Sequence, residues 1–221
     1  FRRQPSNAKN ICNLASLYPQ YVHIVARADV AISTPADLRG KTLATQAKGS
    51  TVELVTAQLL QAYGLSYEQL AEVRFAGYAD AIRLLKGGRV QSLTAASTVP
   101  AAAIRELAAS RPIRFIPVDD RIVARMRERN PGYQRLIIVA KSYPGQAEDV
   151  PTIGYVTHLI GRCDLPAQLV RDLVSALAAH RAELATVIRA IRGLDGARMA
   201  QDIGVPLHEG AKRFYQEQGA F

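Results

Sequence analysis

The chain has no tryptophan and only two cysteines. Cys12 and Cys163 stand far apart, with no C-x-x-C and no zinc-ligand spacing, which excludes a structural zinc site of the usual pattern. Two buried free thiols and one disulfide in an oxidising compartment both remain open. The histidines, His23, His158, His180 and His208, show no i, i+4 pairing, so neither a metal nor a cofactor is expected. No apolar run approaches the ~20 residues that a bilayer crossing needs. No positive stretch followed by an apolar run opens the chain, so no signal peptide is read. That leaves a cytosolic protein, or a mature or trimmed one. Gly-x-Ser-x-Gly and Gly-Lys-Ser/Thr are both missing, which excludes a nucleophile elbow and a P-loop. The adjacent carboxylates Asp119 and Asp120 stand where a strand gives way to a helix and read as an N-cap, so no acid–base pair and no enzyme is expected.

Charge is present but not concentrated. The formal net charge is +9, yet no block of five like charges occurs. Arg121, Arg125, Arg127 and Arg129, with Glu128 beside them, read as a solvated helix face. Aromatics do not interleave with the basic residues, so no nucleic acid partner is expected. An anionic ligand remains compatible with the charge.

The stretch with the most local logic is Lys41–Tyr63. Thr42–Thr45 reads as a short strand, Gln46–Gly49 as a turn, and Ser50 or Thr51 as the start of a helix. Ser50 with Glu53 three residues later is a capping-box pattern. Val52, Val55, Leu59, Leu60 and Tyr63 fall on one helical face, and Gly64 supplies the stop. A helix opening after a strand and a glycine turn presents unpaired N–H groups and positive dipole character, which suits a carboxylate or phosphate. Lys48 either neutralises such a ligand or points to water. Ser97 and Thr98, at the end of a later strand, are placed to reach the same mouth.

Around this stretch, strand and helix patterns alternate. Tyr21–Arg27 alternates in strand fashion, and Tyr18-Pro19 reads as a break before it. Strands are expected at Glu72–Gly77, Val90–Ser97 and Pro112–Val118, with helices at Tyr78–Lys86, Ala101–Ser110 and Asp119–Asn130. That rhythm argues an α/β lobe with a largely parallel sheet. Two further apolar runs, Arg135–Ala140 and Ile153–Gly161, flank a connector. The tail is helical over Pro166–Ala179, with Leu169, Val170, Leu173, Ala176 and Leu177 on one face. Further helices are read at Arg181–Arg192 and Ala211–Gln218. Phe1–Asn10 has no period and reads as a loose lead-in. A lobe inserted into another lobe implies a cleft, where small ligands bind.

Five segments resemble one family, in order and in spacing. They are Leu17-Tyr18-Pro19 with Val22-His23-Ile24-Val25; Ala36-Asp37-Leu38-Arg39-Gly40-Lys41; Gly49-Ser50-Thr51-Val52-Glu53; Glu148-Asp149-Val150-Pro151-Thr152; and Pro206-Leu207-His208-Glu209-Gly210-Ala211 with Tyr215. Together they are similar to TAXI-type solute-binding proteins of TRAP (tripartite ATP-independent periplasmic) transporters. The resemblance implies an α/β, two-lobed, periplasmic-binding-protein-like (type II) clamshell. Residues 1–39 and 151–221 would belong to the first lobe and 40–150 to the second.

It also implies a non-enzymatic periplasmic protein that passes a small carboxylate, such as glutamate, glutamine or 2-oxoglutarate, to TRAP-type permease subunits. Gly49, Ser50 and Thr51 are implied to hold the carboxylate and Tyr18 and Thr98 to line the cleft, and Lys48 and Ser97 join them as candidates from the turn and strand end read above. The family pattern carries a Gly-rich segment ahead of the point matched by Phe1, so the first lobe is expected to be incomplete here. A homo-oligomer completing that lobe is one expected partner. Ala47-Lys48-Gly49 also departs from the family turn, and the added lysine either favours a more acidic ligand or marks lost binding. The competing reading is the effector-sensing domain of a transcriptional regulator with the same two-lobe fold.

Overall fold

The computed structural model describes residues 10–220, so nearly all of the lead-in Phe1–Asn10 lies outside the described residues. The first element, β1 (Ile11–Arg27), is one long strand. Tyr18-Pro19 therefore does not break it. Proline holds φ near −65°, which extended backbone accepts, and only its missing N–H restricts where it can stand in a ladder.

Next come a 3₁₀ turn at Pro35–Leu38, β2 (Thr42–Thr45), α1 (Thr51–Ala62), a 3₁₀ turn at Tyr67–Gln69, β3 (Glu72–Phe75), α2 (Tyr78–Lys86) and β4 (Ser92–Ser97). They are followed by α3 (Ala102–Ser110), β5 (Ile113–Phe115), α4 (Asp120–Arg129), β6 (Tyr133–Ile138) and β7 (Val150–Arg162). The tail holds α5 (Ala167–Ala179), α6 (Arg181–Val187), a 3₁₀ turn at Arg189–Gly193, α7 (Gly196–Met199) and α8 (Glu209–Glu217). The strand order is β3-β2-β4-β1-β7-β6, with β5 on β1. This is an α/β fold.

The chain divides into two compact units. The larger is Gln20–Tyr155; the smaller takes the chain up to Pro19 and from Val156 onward. β1 and β7 each pass from one unit into the other.

Within the larger unit the expectation of a largely parallel sheet needs correcting. β2 pairs in parallel with β3 and with β4, but β1 runs antiparallel to β4 and β5, and β6 runs antiparallel to β7. The parallel pairs are those joined by α1 and α2, because a parallel connection needs a crossover. β2 is buried along Leu43–Thr45, as a strand covered on both faces must be. Val55, Leu59 and Leu60 of α1 pack inward with Ile24, Leu43, Ile116 and Met126, and Val52 is buried on the same helix. A second cluster gathers Ala81, Ile82 and Leu85 of α2 with Leu93, Ile104 and Leu107. Between α1 and the sheet, the buried hydroxyls of Thr45, Thr56 and Thr94 form a closed triangle with sides of 2.8 to 3.1 Å. Thr56 also donates to the Val52 carbonyl at 2.7 Å. Polar groups this deep are tolerated because each finds a partner.

The smaller unit packs Leu14 and Ala15 of β1 against Val170, Val174, Met199, Phe214 and Tyr215. Tyr215 is fully buried and donates its hydroxyl to the Leu14 carbonyl at 2.7 Å. α8 meets the start of α5 at Gly210, where an added Cβ would lie 2.1 Å from the Ala167 carbonyl oxygen. The buried stripe of α5 is Val170 and Val174, whereas Leu169 and Leu173 are 53% and 41% exposed. The inward face assigned from sequence is thus rotated by about one position. The helix read over Arg181–Arg192 ends at Val187, and the remainder is the 3₁₀ turn. Cys12 and Cys163 form a disulfide with Cα atoms 5.0 Å apart, which resolves the choice left open between thiols and a bridge.

Candidate functional site

β3, β2 and β4 are parallel, so their carboxyl ends lie at one edge of the larger unit. From β2 the chain moves out to β3 on one side and returns to β4 on the other. The strand order therefore reverses at β2, and the gap between the ends of β2 and β4 is a topological switch point of the kind where open α/β sheets bind ligands. Gln46–Thr51 follow β2, and Ser97–Thr98 close β4. The structure thus gathers Lys48, Gly49, Ser50, Thr51, Ser97 and Thr98 at this edge. Tyr18 belongs to the smaller unit, where it packs against the core formed with Val170 and Tyr215.

The turn into α1 is built as the capping pattern indicates, with one difference. Ser50 is the N-cap and its hydroxyl accepts from the Glu53 amide at 3.3 Å. The Glu53 carboxylate reaches back one residue further than a capping box requires, accepting from the Gly49 amide at 3.0 Å. The Ser50 amide donates to the Ala47 carbonyl at 3.0 Å. Gly49 sits at φ +80°, a conformation that other residues enter at a cost. Three amides of the turn are thereby taken up internally. Thr51 and Val52 carry the first-turn amides for which the described residues provide no acceptor. These are the two donors left unsatisfied at this helix end.

Glu53 is the residue whose role sequence reasoning undervalued. It is 9% exposed, and its Oε1 also accepts from the Tyr67 hydroxyl at 3.2 Å. Tyr67 holds its proton well above the usual phenol range, through burial first and the Glu53 charge second. A carboxylate fixed at a helix N-terminus is stabilised by the dipole, as an external anion would be. The signal was available, because Glu at the third helical position is half of the capping box. Which amide it would take was not.

Lys48 is exposed at the turn. Its ammonium lies 4.8 Å above the centre of the Phe75 ring, which itself meets Tyr67 edge-on. A cation on an aromatic face at the end of β3 is held near the switch point without being neutralised. On the β4 side, burial raises the pKa of Tyr78 at the start of α2, and the neighbouring Ser97 lowers it in part. Thr98 is half-buried ahead of the cis Val99–Pro100 bond.

Behind Ser97 and Thr98 stands a buried relay that sequence reasoning did not single out. His23 Nδ1 lies 3.1 Å from the Tyr21 carbonyl, which can only accept, so Nδ1 carries the proton. His23 Nε2 then accepts from the Tyr143 hydroxyl at 2.7 Å, and the Tyr143 oxygen accepts from the Ala101 amide at 2.9 Å. Ala101 is the N-cap of α3. Phe115 stacks on Tyr143 at 5.0 Å. Burial lowers the His23 pKa to about 4, with the Tyr21 carbonyl opposing. His23 is therefore neutral at pH 7 and positions the loop after β4.

The remaining sequence-derived candidates serve the scaffold. Asp119 accepts from the Tyr63 hydroxyl at 3.2 Å and Asp120 pairs with Arg135 at 2.5 Å. Asp119 is the N-cap residue of α4, but its side chain makes no capping bond. Arg125 and Arg129 reach across to the Ala62 carbonyl and to Gln61 on α1. Among the described residues no cluster of His, Cys, Asp and Glu suits a metal ion, and no helix is long and apolar enough to cross a membrane.

Several solved structures align with this chain. The periplasmic aliphatic sulphonate binding protein SsuA from Escherichia coli aligns with a TM-score of 0.50 at 15% identity, over 97% of this chain and 61% of that one. A mutant of ArgBP from T. maritima aligns with a TM-score of 0.42 at 18% identity, over 85% of this chain and 62% of that one. The substrate binding protein of an amino acid ABC transporter aligns with a TM-score of 0.43 at 14% identity, over 85% of this chain and 64% of that one. The chain thus spans less than two thirds of the length of these neighbours. The likeness to the sulphonate binding protein shows a periplasmic-binding-protein-like fold. The model of the NMT1-like family matches residues 3–219, nearly the whole length, and the chain belongs to that family.

Proposed function

We propose that the chain is an extracytoplasmic solute-binding protein of TAXI type, non-enzymatic, that captures a small carboxylate for a TRAP-type membrane transporter. Glutamate, glutamine and 2-oxoglutarate are the candidate solutes. The observation that carries this reading is the pair of amides at Thr51 and Val52, open at the switch point between β2 and β4. In it, the ligand carboxylate takes those amides and the Thr51 hydroxyl, Lys48 supplies positive charge, and Ser97 and Thr98 contribute hydroxyls from the facing strand end. Gly49 and Ser50 shape the turn.

The disulfide between Cys12 and Cys163 supports a periplasmic location, since such bonds persist in oxidising compartments. The same bond weighs against a cytosolic regulator. Thr51→Pro is the informative variant. Proline is favoured at the first position of a helix, and Ser50 already has the extended backbone that a following proline requires, with ψ 157°. The substitution removes one amide and one hydroxyl while leaving the helix in place. Calorimetry with the three solutes should show micromolar-class binding that weakens at least tenfold in Thr51→Pro. Equal affinity in the variant would remove the proposed dock.

A further inference from the structure

Thr45, Thr56 and Thr94 lie between α1 and the sheet, and none of them is more than 1% exposed. They come from three elements. Thr45 ends β2, Thr94 stands in β4, and Thr56 is in α1. β2 and β4 pair in parallel at Leu43 with Ser92 and at Ala44 with Leu93. Thr45 and Thr94 are therefore the next positions along the two strands that flank the switch point.

The hydroxyls have a direction. Thr94 donates to Thr45 at 2.9 Å, Thr45 to Thr56 at 3.1 Å, and Thr56 to the Val52 carbonyl at 2.7 Å. The Thr56 and Thr94 oxygens also stand 2.8 Å apart. The chain of donors starts on β4, passes through β2 and ends on Val52, whose amide is one of the two without an acceptor. A threonine that donates to the carbonyl four residues back is common in helices, but this one is also tied to two strands.

Apolar packing alone would not require this. Val55, Leu59 and Leu60 already hold α1 on the sheet, and their burial is non-directional, so it fixes which face points inward better than where the helix end stands. A buried hydroxyl gives up water to make its bond, and replacing all the partners together by apolar groups of the same shape is close to neutral for stability. What the hydroxyls add is a fixed set of distances, because a fully satisfied buried network rigidifies its surroundings.

We infer that Thr45, Thr56 and Thr94 are positioning residues, which hold the first turn of α1 in one place over the ends of β2 and β4 and so aim the Thr51 and Val52 amides. That these amides receive a solute rests on the function proposed above. That they are held in place does not.

Two variants separate position from stability. Thr45→Val, Thr56→Val and Thr94→Val together remove every hydroxyl, keep the shape and leave no hydroxyl without a partner. The same three positions changed to serine keep the hydroxyls and lose three buried methyl groups. The valine variant should unfold at the wild-type urea concentration or above it, while NMR order parameters of the Thr51 and Val52 amides fall from about 0.85 towards about 0.6. The serine variant should unfold at a lower urea concentration with both order parameters kept. In calorimetry with glutamate, glutamine and 2-oxoglutarate, a solute that binds wild type should weaken about threefold or more in the valine variant and keep its affinity in the serine variant. If wild type binds none of the three, the solute reading falls and the order parameters still decide this inference. It is overturned if the valine variant keeps wild-type order parameters, if it retains full affinity for a bound solute, if it unfolds more easily than wild type, or if the order parameters fall in the serine variant as well.

Discussion

Acidification should destabilise this protein through His23 before its carboxylates titrate. The residue is fully buried, its Nδ1–H is committed to the Tyr21 carbonyl, and its Nε2 accepts from Tyr143. Its folded pKa is about 4, against an ordinary value of 6.5. A base whose pKa falls on folding binds fewer protons in the native state than in the unfolded one. Stability is therefore whole above pH ~6.5, declines as pH falls through that value, and levels off for this group near pH 4. At 1.36 kcal/mol per pKa unit the complete loss is about 3 kcal/mol, of which about 2 has gone by pH 5. Protonation also turns Nε2 into a donor, so Tyr143 must reorient its hydroxyl while still accepting from Ala101. Urea unfolding at pH 7.5, 6.0 and 5.0, with the disulfide intact, measures the slope. His23→Gln retains an acceptor but does not titrate, so wild type should lose about 2 kcal/mol more than the variant between pH 7.5 and pH 5.0. Parallel lines for the two proteins would refute the reasoning, whatever constant offset separates them.

Other perturbations test the scaffold. The Cys12–Cys163 disulfide joins positions 151 residues apart, a loop that contains the entire larger unit. Reduction, or the double change to serine, should lower stability by up to about 5 kcal/mol in denaturant titrations, and a loss below about 1 kcal/mol would contradict its structural role. Gly210→Ala sets two effects against each other. Alanine gains about 1 kcal/mol in helix propensity, but the new Cβ lies 2.1 Å from the backbone of Ala167, which cannot swing aside as a side chain can. Overpacking of this kind costs about 1–3 kcal/mol or more, so a net destabilisation is expected in thermal unfolding. A Tm at or above the wild-type value would show that α5 and α8 slide apart freely.

Much of the larger unit was legible because its signals are local. Tyr78–Lys86 is a helix between the residues the pattern specified, ended by Gly87 and Gly88. The stripe of Val52, Val55, Leu59 and Leu60 faces inward as its spacing requires. What failed depends on partners distant in sequence. Pro19 lies inside β1 because the ladders either side of it are supplied by other strands, which no window around Tyr18-Pro19 contains. The antiparallel pairing of β1 with β4 and β5 follows from topology rather than composition. On α5, Leu169 and Val170 are equally apolar, and only the position of β1 and α8 decides that the second is buried.

The candidate site shows the same division at the scale of single hydrogen bonds. Ser50, Glu53 and a glycine turn announce a helix opening, and a helix opening announces free amides. Which amides stay free is not local information. Glu53 takes Gly49 because Tyr67, fourteen positions on, packs over its carboxylate and holds it inward with a second hydrogen bond. Had Glu53 pointed to solvent, the turn would offer more donors and less negative charge. With it held inward, an incoming anion meets two amides and a neighbouring carboxylate, and Lys48, parked on Phe75, becomes the group that must offset that charge. Lys48 and Glu53 are thus two halves of one electrostatic arrangement. Removing the Lys48 charge should then weaken the 2-oxoglutarate dianion most, singly negative glutamate less, and neutral glutamine least.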